Sequence, residues 1–136
     1  MVKVLVFGSF DIVHKGHVYF LKTAKALGDE LVVVVGRDKT IKEVKGVLPL
    51  HKEKERVKDV SSLGIADEVI LGGLGDKFKV IEEVGPDIIA LGYDQESFSY
   101  GLKGELVKRG LVIKVMRLDG FKVEKYKSSL MREKLG

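Results

Sequence analysis

The chain contains no cysteine, no tryptophan and no asparagine, and only two prolines and one glutamine, Gln95. Without cysteine there is no disulfide framework, thiolate metal site or cysteine nucleophile, and a reducing, cytoplasmic setting is expected. The longest strongly apolar run is Leu31 to Val35, far below the roughly 20 residues a membrane-spanning helix needs. Met1-Val2-Lys3 leads straight into a strand pattern, so neither a targeting segment nor a membrane partner is expected. The lack of asparagine beside 32% charged residues is the bias of proteins adapted to high temperature.

Basic residues number 24 and acidic ones 20, a net charge of +4. The signs alternate, as in Lys52-Glu53-Lys54-Glu55-Arg56, and no aromatic residues interleave with a basic stripe, so no nucleic-acid partner is expected. With 136 residues and 45% hydrophobic content, a single domain over 1–136 with a substantial core is expected.

Val4 to Phe7 is an apolar run closed by Gly8, the pattern of a strand buried on both faces. Val18, Phe20, Leu21, Ala24 and Leu27 then recur at helical spacing over Gly16 to Leu27, and Gly28 is the stop. The alternation continues with strands over Leu31–Val35, Glu68–Leu71, Ile88–Leu91 and Val112–Met116. The intervening helices span His51–Leu63, Lys77–Val84 and Leu102–Arg109, and a last one spans Tyr126–Leu135. The pattern predicts an α/β fold, a single-domain Rossmann-like three-layer α/β/α sandwich with a mainly parallel five-stranded sheet. Ligands of such sheets gather beyond the carboxyl ends of the strands, which directs attention to the loops after strands one, two and four.

The loop after the first strand reads Gly8-Ser9-Phe10-Asp11-Ile12-Val13-His14-Lys15-Gly16-His17 and runs into a helix. Gly8 permits close backbone approach to a ligand, and the amides at the helix start favour an anion such as phosphate. His14 and His17, three apart, can face one ligand from the same side. With ordinary values near 6.5 they can donate to phosphate oxygens, and the anion favours their protonated form. Two other readings stay open: one histidine packed and the other a helix cap, or a metal pair, which lacks a third protein ligand nearby in sequence.

Gly-Ser-Phe-Asp followed by His-Lys-Gly-His resembles the signature of the cytidylyltransferase-like nucleotidyltransferase superfamily. That resemblance implies transfer of a nucleoside monophosphate from ATP or CTP to a phosphorylated acceptor. It implies nucleotide binding by Gly8, Ser9, Phe10, His14 and His17, and catalysis by the two histidines. Gly36-Arg37-Asp38-Lys39-Thr40, read as a loop, with Lys45 and Gly46 beyond it, falls where the family meets the acceptor phosphate. Arg37, Asp38 and Lys45 are therefore acceptor-binding candidates, together with Asp11, which more naturally organises the loop. Arg56 joins them by matching the family's arginine, although its neighbours read as surface. Gly92-Tyr93-Asp94-Gln95 falls where the family recognises base and ribose, making Gly92 and Asp94 nucleotide-binding candidates. Tyr126-Lys127-Ser128-Ser129 resembles the family's final motif with lysine in place of arginine, a point charge instead of a bidentate fork. It implies a catalytic Lys127 and nucleotide contacts from Ser128 and Ser129. His51 reads as a helix-start surface residue and Gly72-Gly73-Leu74-Gly75 as a flexible turn.

Within the superfamily the layout resembles the archaeal-type FAD synthases, on Gly-Arg-Asp-Lys-Thr, the following Lys-Gly, and Pro86-Asp87-Ile88-Ile89 leading into Leu91-Gly92-Tyr93-Asp94-Gln95. This resemblance implies ATP and FMN as substrates, Mg2+ carried with the nucleotide phosphates, no protein metal site, and possible homodimer formation as among relatives. A cysteine pair that can occur at the end of those enzymes is absent here. Phe78, Phe98 and Tyr100 are candidates for the apolar wall a flavin needs. Two alternatives stand beside this reading: a CTP-dependent glycerol-3-phosphate cytidylyltransferase, and a non-catalytic nucleotide-sensing module.

Overall fold

The valine-rich runs become the middle of a sheet, because β-branched side chains pack well on a pleated surface that helices cover on both sides. The computed structural model describes residues 1–73, 75–76, 78–92 and 96–118, with backbone alone for 96–100. The strands are β1 (Lys3–Gly8), β2 (Glu30–Val35), β3 (Glu68–Leu71), β4 (Ile88–Leu91) and β5 (Lys114–Arg117). They form one five-stranded sheet of order β3-β2-β1-β4-β5. Every pairing is parallel, with Val4 facing Leu31 on one side and Ile88 on the other.

Helices α1 (Lys15–Lys25), α2 (Asp38–Lys45), α3 (Glu53–Ser62), α4 (Lys79–Val84) and α5 (Glu96–Lys108) complete the described chain. Leu21 and Ala24 of α1 and Val60 of α3 pack with Val4, Val6, Val33 and Val35 on one face. Val80 and Ile81 of α4 and Leu102 and Leu106 of α5 pack with Leu5, Val32, Val34 and Ile89 on the other. Alternate residues of β1 thus serve opposite cores, which is why its sequence shows no polar alternation. Among the described residues no helix is long and apolar enough to cross a membrane.

Several boundaries differ from the sequence reading. The largest difference is α2, which occupies the segment read as a loop from Gly36 onward. Its only buried residue is Ile41, too little apolar periodicity to announce a helix. Helix α5 begins at Glu96 and not at Leu102, and β5 begins at Lys114 because Val112 is fully exposed. Tyr93, Asp94, Gln95, Lys127, Ser128, Ser129 and the predicted helix Tyr126–Leu135 lie outside the described residues.

The sheet order sends the chain outward from β1 to β2 and β3, then back across to β4 beside β1. The order reverses between β1 and β4, and such a switch point, beyond the carboxyl ends of neighbouring strands, is where open parallel sheets bind ligands. That edge is laced by hydrogen bonds extending the ladder: Gly36 N–H to Gly8 carbonyl at 2.9 Å, Gly72 N–H to Val35 carbonyl at 2.9 Å, and Leu118 N–H to Leu91 carbonyl at 2.8 Å.

Candidate active site

At the β1–α1 junction the two histidines are a helix cap. His14 is the N-cap residue, and its Nδ1 accepts the Gly16 N–H at 3.0 Å. His17 reaches back, and its Nδ1 accepts the His14 N–H at 3.3 Å. This is a capping box in which imidazoles do the work usually done by a hydroxyl and a carboxylate. The rings sit 4.0 Å apart, centroid to centroid, tilted by 31°. Because both Nδ1 atoms accept from backbone, each neutral ring carries its proton on Nε2. The metal-pair reading loses ground for the same reason, since both Nδ1 lone pairs are committed. The helix-cap alternative and the phosphate-site reading are compatible, as capping fixes the orientation that a phosphate donor requires.

Burial pushes the His17 imidazole down from 6.5 to about 4, the His14 ring and the Lys45 ammonium adding to the effect and a hydrogen bond with the Ile12 backbone opposing it. Burial lowers His14 as well. Both rings are therefore neutral donors near neutral pH before any anion arrives, further from the protonated form that a bound anion favours than ordinary values near 6.5 would leave them. The linkage has a definite sign. As pH falls from 6.5 toward 4 the unfolded chain takes up the His17 proton before the folded one does, so stability present above pH 6.5 is lost across that window. Urea unfolding is expected to show a loss of up to about 3 kcal/mol from this group between neutral pH and pH 4. His17→Asn should unfold with a visibly shallower pH slope; an identical slope would contradict the assignment.

Phe10 adopts φ of 51°, a left-handed conformation costly for a residue with a Cβ. Burial of its ring, 3% exposed within the core beneath α1, holds it there. The ring meets His17 edge to face at 5.3 Å and lies where a Gly8 side chain would be: a Cβ added at Gly8 would come within 2.6 Å of Phe10 Cε2. Phe10 thus occupies the space on the side of Gly8 where a side chain would stand, so glycine is required there for packing whatever its backbone meets. Gly8→Ala should push the ring off His17 and cost about 1–3 kcal/mol by overpacking, measurable as a lower thermal midpoint.

The acidic and basic candidates form a framework around this loop. Asp11, 6% exposed, accepts the Leu50 and His51 N–H groups at 2.9 and 2.8 Å. Its carboxylate thereby organises the loop. Asp38 and Glu53 cap each other's helices: Asp38 Oδ2 accepts the Glu53 N–H at 3.2 Å and Glu53 Oε1 accepts the Asp38 N–H at 3.0 Å. Arg37 donates to Glu53 at 3.0 Å and to the Gly72 carbonyl at 2.7 Å, so the residue expected at an acceptor phosphate braces β3 against α2 and α3. Arg56, an acceptor-binding candidate whose neighbours read as surface, is fully buried, donating to the Ser9 carbonyl at 2.7 Å, the His51 carbonyl at 2.9 Å and Asp38 Oδ1 at 2.7 Å. Its guanidinium joins the β1 loop, α2 and the start of α3, a positioning role no local pattern signals.

Lys45 does approach the site, its Nζ 3.4 Å from Ser9 Oγ and its charge acting on His17. Gly92 follows directly on β4 and is half-buried. His51 stands just before α3, partly exposed, 3.5 Å from Asp59. Phe78 packs against the core under α4 and α5, on the face of the sheet away from α1. It does not join the histidines, and the side chains of Phe98 and Tyr100 lie outside the described residues. Glu53, absent from the sequence-based candidates, is the missed member of the framework; its position at the first turn of a helix was the available signal.

A half-buried helix start carrying two oriented imidazoles, at the switch point of a parallel sheet, is the kind of site at which α/β proteins bind phosphorylated ligands, and comparison with known proteins specifies the class. The family model described as cytidylyltransferase-like matches residues 5–134, and the chain belongs to that family. Among curated relatives, the FAD synthase of Thermoplasma volcanium is 42% identical over 135 residues, 99% of this chain and 94% of the relative. The FAD synthase of Archaeoglobus profundus is 48% identical over 130 residues, 95% of this chain and 82% of its own. A crystal structure of a Thermoplasma volcanium protein described as a lipopolysaccharide core biosynthesis protein superposes with a TM-score of 0.84 at 43% identity, covering 90% of this chain and 99% of that one.

Proposed function

We propose that this protein is an FMN adenylyltransferase, an FAD synthase, acting through residues 1–136 as one nucleotidyltransferase domain. The reading is carried by the reciprocal histidine cap at the β1–α1 junction, in a chain 42% identical to a curated FAD synthase over nearly its full length. An oxygen of the FMN phosphate attacks the α-phosphorus of ATP; the bond to the β-bridging oxygen breaks and pyrophosphate leaves with that electron pair. The nucleophile is already anionic, so no general base is needed, and catalysis rests on alignment and on stabilising developing charge.

In this reading His14 turns its Nε2–H to the triphosphate, and His17 exchanges the Ile12 carbonyl that accepts from its ring for a triphosphate oxygen. Arrival of the anion raises their proton affinity, so charge compensation develops only when substrate is in place. The α1 amides add positive potential at the same point. Lys45 meets the acceptor phosphate beside Ser9, while Arg37, Asp38, Asp11 and Arg56 hold the surrounding loops. Asp94, Lys127, Ser128 and Ser129 are proposed to complete the nucleotide site. Bound with the nucleotide, Mg2+ would supply charge neutralisation of the triphosphate. The carboxylates of Asp11 and Asp38 are engaged by backbone N–H groups and Arg56, so the ion belongs with the nucleotide's own oxygens.

Incubation with ATP plus FMN, and separately with CTP plus glycerol phosphate, followed by chromatography, tests the reading. FAD and pyrophosphate are expected from the first mixture only. CDP-glycerol from the second would transfer the assignment to the cytidylyltransferase alternative, and tight ATP binding with no turnover of either acceptor would favour a sensing module.

A further inference from the structure

Large aliphatic side chains at the surface are concentrated in one place. Eight large hydrophobic residues are exposed among the described residues, and four of them, Val44, Val47, Leu48 and Leu50, fall within a seven-residue stretch. The other four are Met1 and Val2 ahead of β1, Val107 in α5 and Val112 before β5, whereas a cluster of exposed apolar residues usually marks a binding surface. None of the four packs with either core.

This strip is not a loose loop. Gly46, at φ of 82°, ends α2 with its N–H on the Lys42 carbonyl at 2.8 Å. At the other end the Leu50 and His51 N–H groups are held by Asp11, and Arg56 holds the His51 carbonyl. Pro49 between them narrows the backbone further. Both ends are thus fastened to the loop that carries the histidines, Lys45 through Ser9 and Leu50 through Asp11. Lys45 lies within this stretch, between Val44 and Val47, with its ammonium group 3.4 Å from Ser9 Oγ and its charge acting on His17. A ligand with a phosphate at Lys45 would have its tail at the reacting centre and its body over aliphatic side chains.

We propose that Val44, Val47, Leu48 and Leu50 form the wall on which the flavin ring of the acceptor docks, and that this wall sets acceptor specificity. The proposal rests on the FMN reading above. The occupant is chosen by charge and polarity together: a dianionic phosphate fits Lys45, and a flat ring system fits the strip. Glycerol phosphate has nothing apolar to place there. Removing the wall should weaken ring binding and leave nucleotide binding intact, because no backbone N–H or histidine contact depends on these side chains.

The test compares wild type with Val47→Ser/Leu48→Ser. Flavin fluorescence titration with FMN is expected to show affinity weakened about tenfold or more, since two exposed aliphatic contacts are lost. The KM for FMN should rise in parallel while that for ATP stays within about twofold. Lumiflavin, the ring without its phosphate tail, should compete with FMN in wild type and lose that effect in the variant. Unchanged FMN affinity overturns the proposal. Such a result with a shift from dimer to monomer would assign the strip to a second copy, and with a lowered thermal midpoint to cover by the chain's own remaining residues. If wild type makes no FAD, the enzymatic reading fails, yet the fluorescence titration still decides whether the strip binds flavin.

Discussion

His17→Ala should lower turnover by about a hundredfold to a thousandfold, the range seen when a preorganised donor to developing charge is removed. Its imidazole is locked on three sides: Nδ1 accepts the His14 N–H, the Phe10 edge packs against the ring, and the His14 ring lies 4.0 Å away. A donor held this firmly needs no reorganisation as pyrophosphate leaves. The same substitution removes half of the helix cap, so a stability loss of roughly 0.5–2 kcal/mol should accompany it. The two effects separate in His17→Asn, where the side-chain carbonyl can take over the cap and restore the thermal midpoint while turnover remains low. Turnover is to be measured as pyrophosphate release with both substrates saturating. Wild-type turnover in the alanine variant would remove His17 from the chemistry.

Arg56→Met should destabilise the protein by about 3–5 kcal/mol, the cost of leaving the partners of a buried charge uncompensated. For a chain of this size that corresponds to a fall of roughly 10–15 °C in the thermal midpoint. The Ser9 and His51 carbonyls lose their donor, and Asp38 loses the charge facing its Oδ1. Methionine fills the volume, so the loss reports polar connections rather than a cavity. Arg56→Lys should recover only part of it, because one ammonium cannot reproduce three bonds spread across a planar fork. Since Ser9 sits beside the histidines, surviving Met variant should also bind ATP more weakly. A midpoint within a few degrees of wild type would show that the framework holds without this residue.

How far the chain could be read in advance depended on the range of the interactions concerned. The histidine pair was legible because a capping box involves neighbours three residues apart, so spacing alone implies their meeting. Strands β3 and β4 were legible to the residue, as short apolar runs between turn signals leave little choice. Helix α2 was not. Ile41 is its single buried anchor, and Asp38, Lys39, Lys42, Glu43 and Lys45 look the same in a solvated loop as on a solvated helix face. What makes it a helix is the exchange of caps between Asp38 and Glu53, fifteen residues apart.

Local pattern by itself determined the α/β alternation, the parallel sheet and the helix start that carries the imidazoles, because hydrophobic period and capping act within a few residues. Only the tertiary structure decided that Arg56 is buried, that Phe10 occupies the space Gly8 leaves, and that the aliphatic strip beside Lys45 remains uncovered among the described residues. Charge and hydrophobicity in a sequence state what a side chain can do. Which partner it meets is set by chain segments brought together across the sheet, and burial then decides whether an arginine binds a ligand or holds a loop.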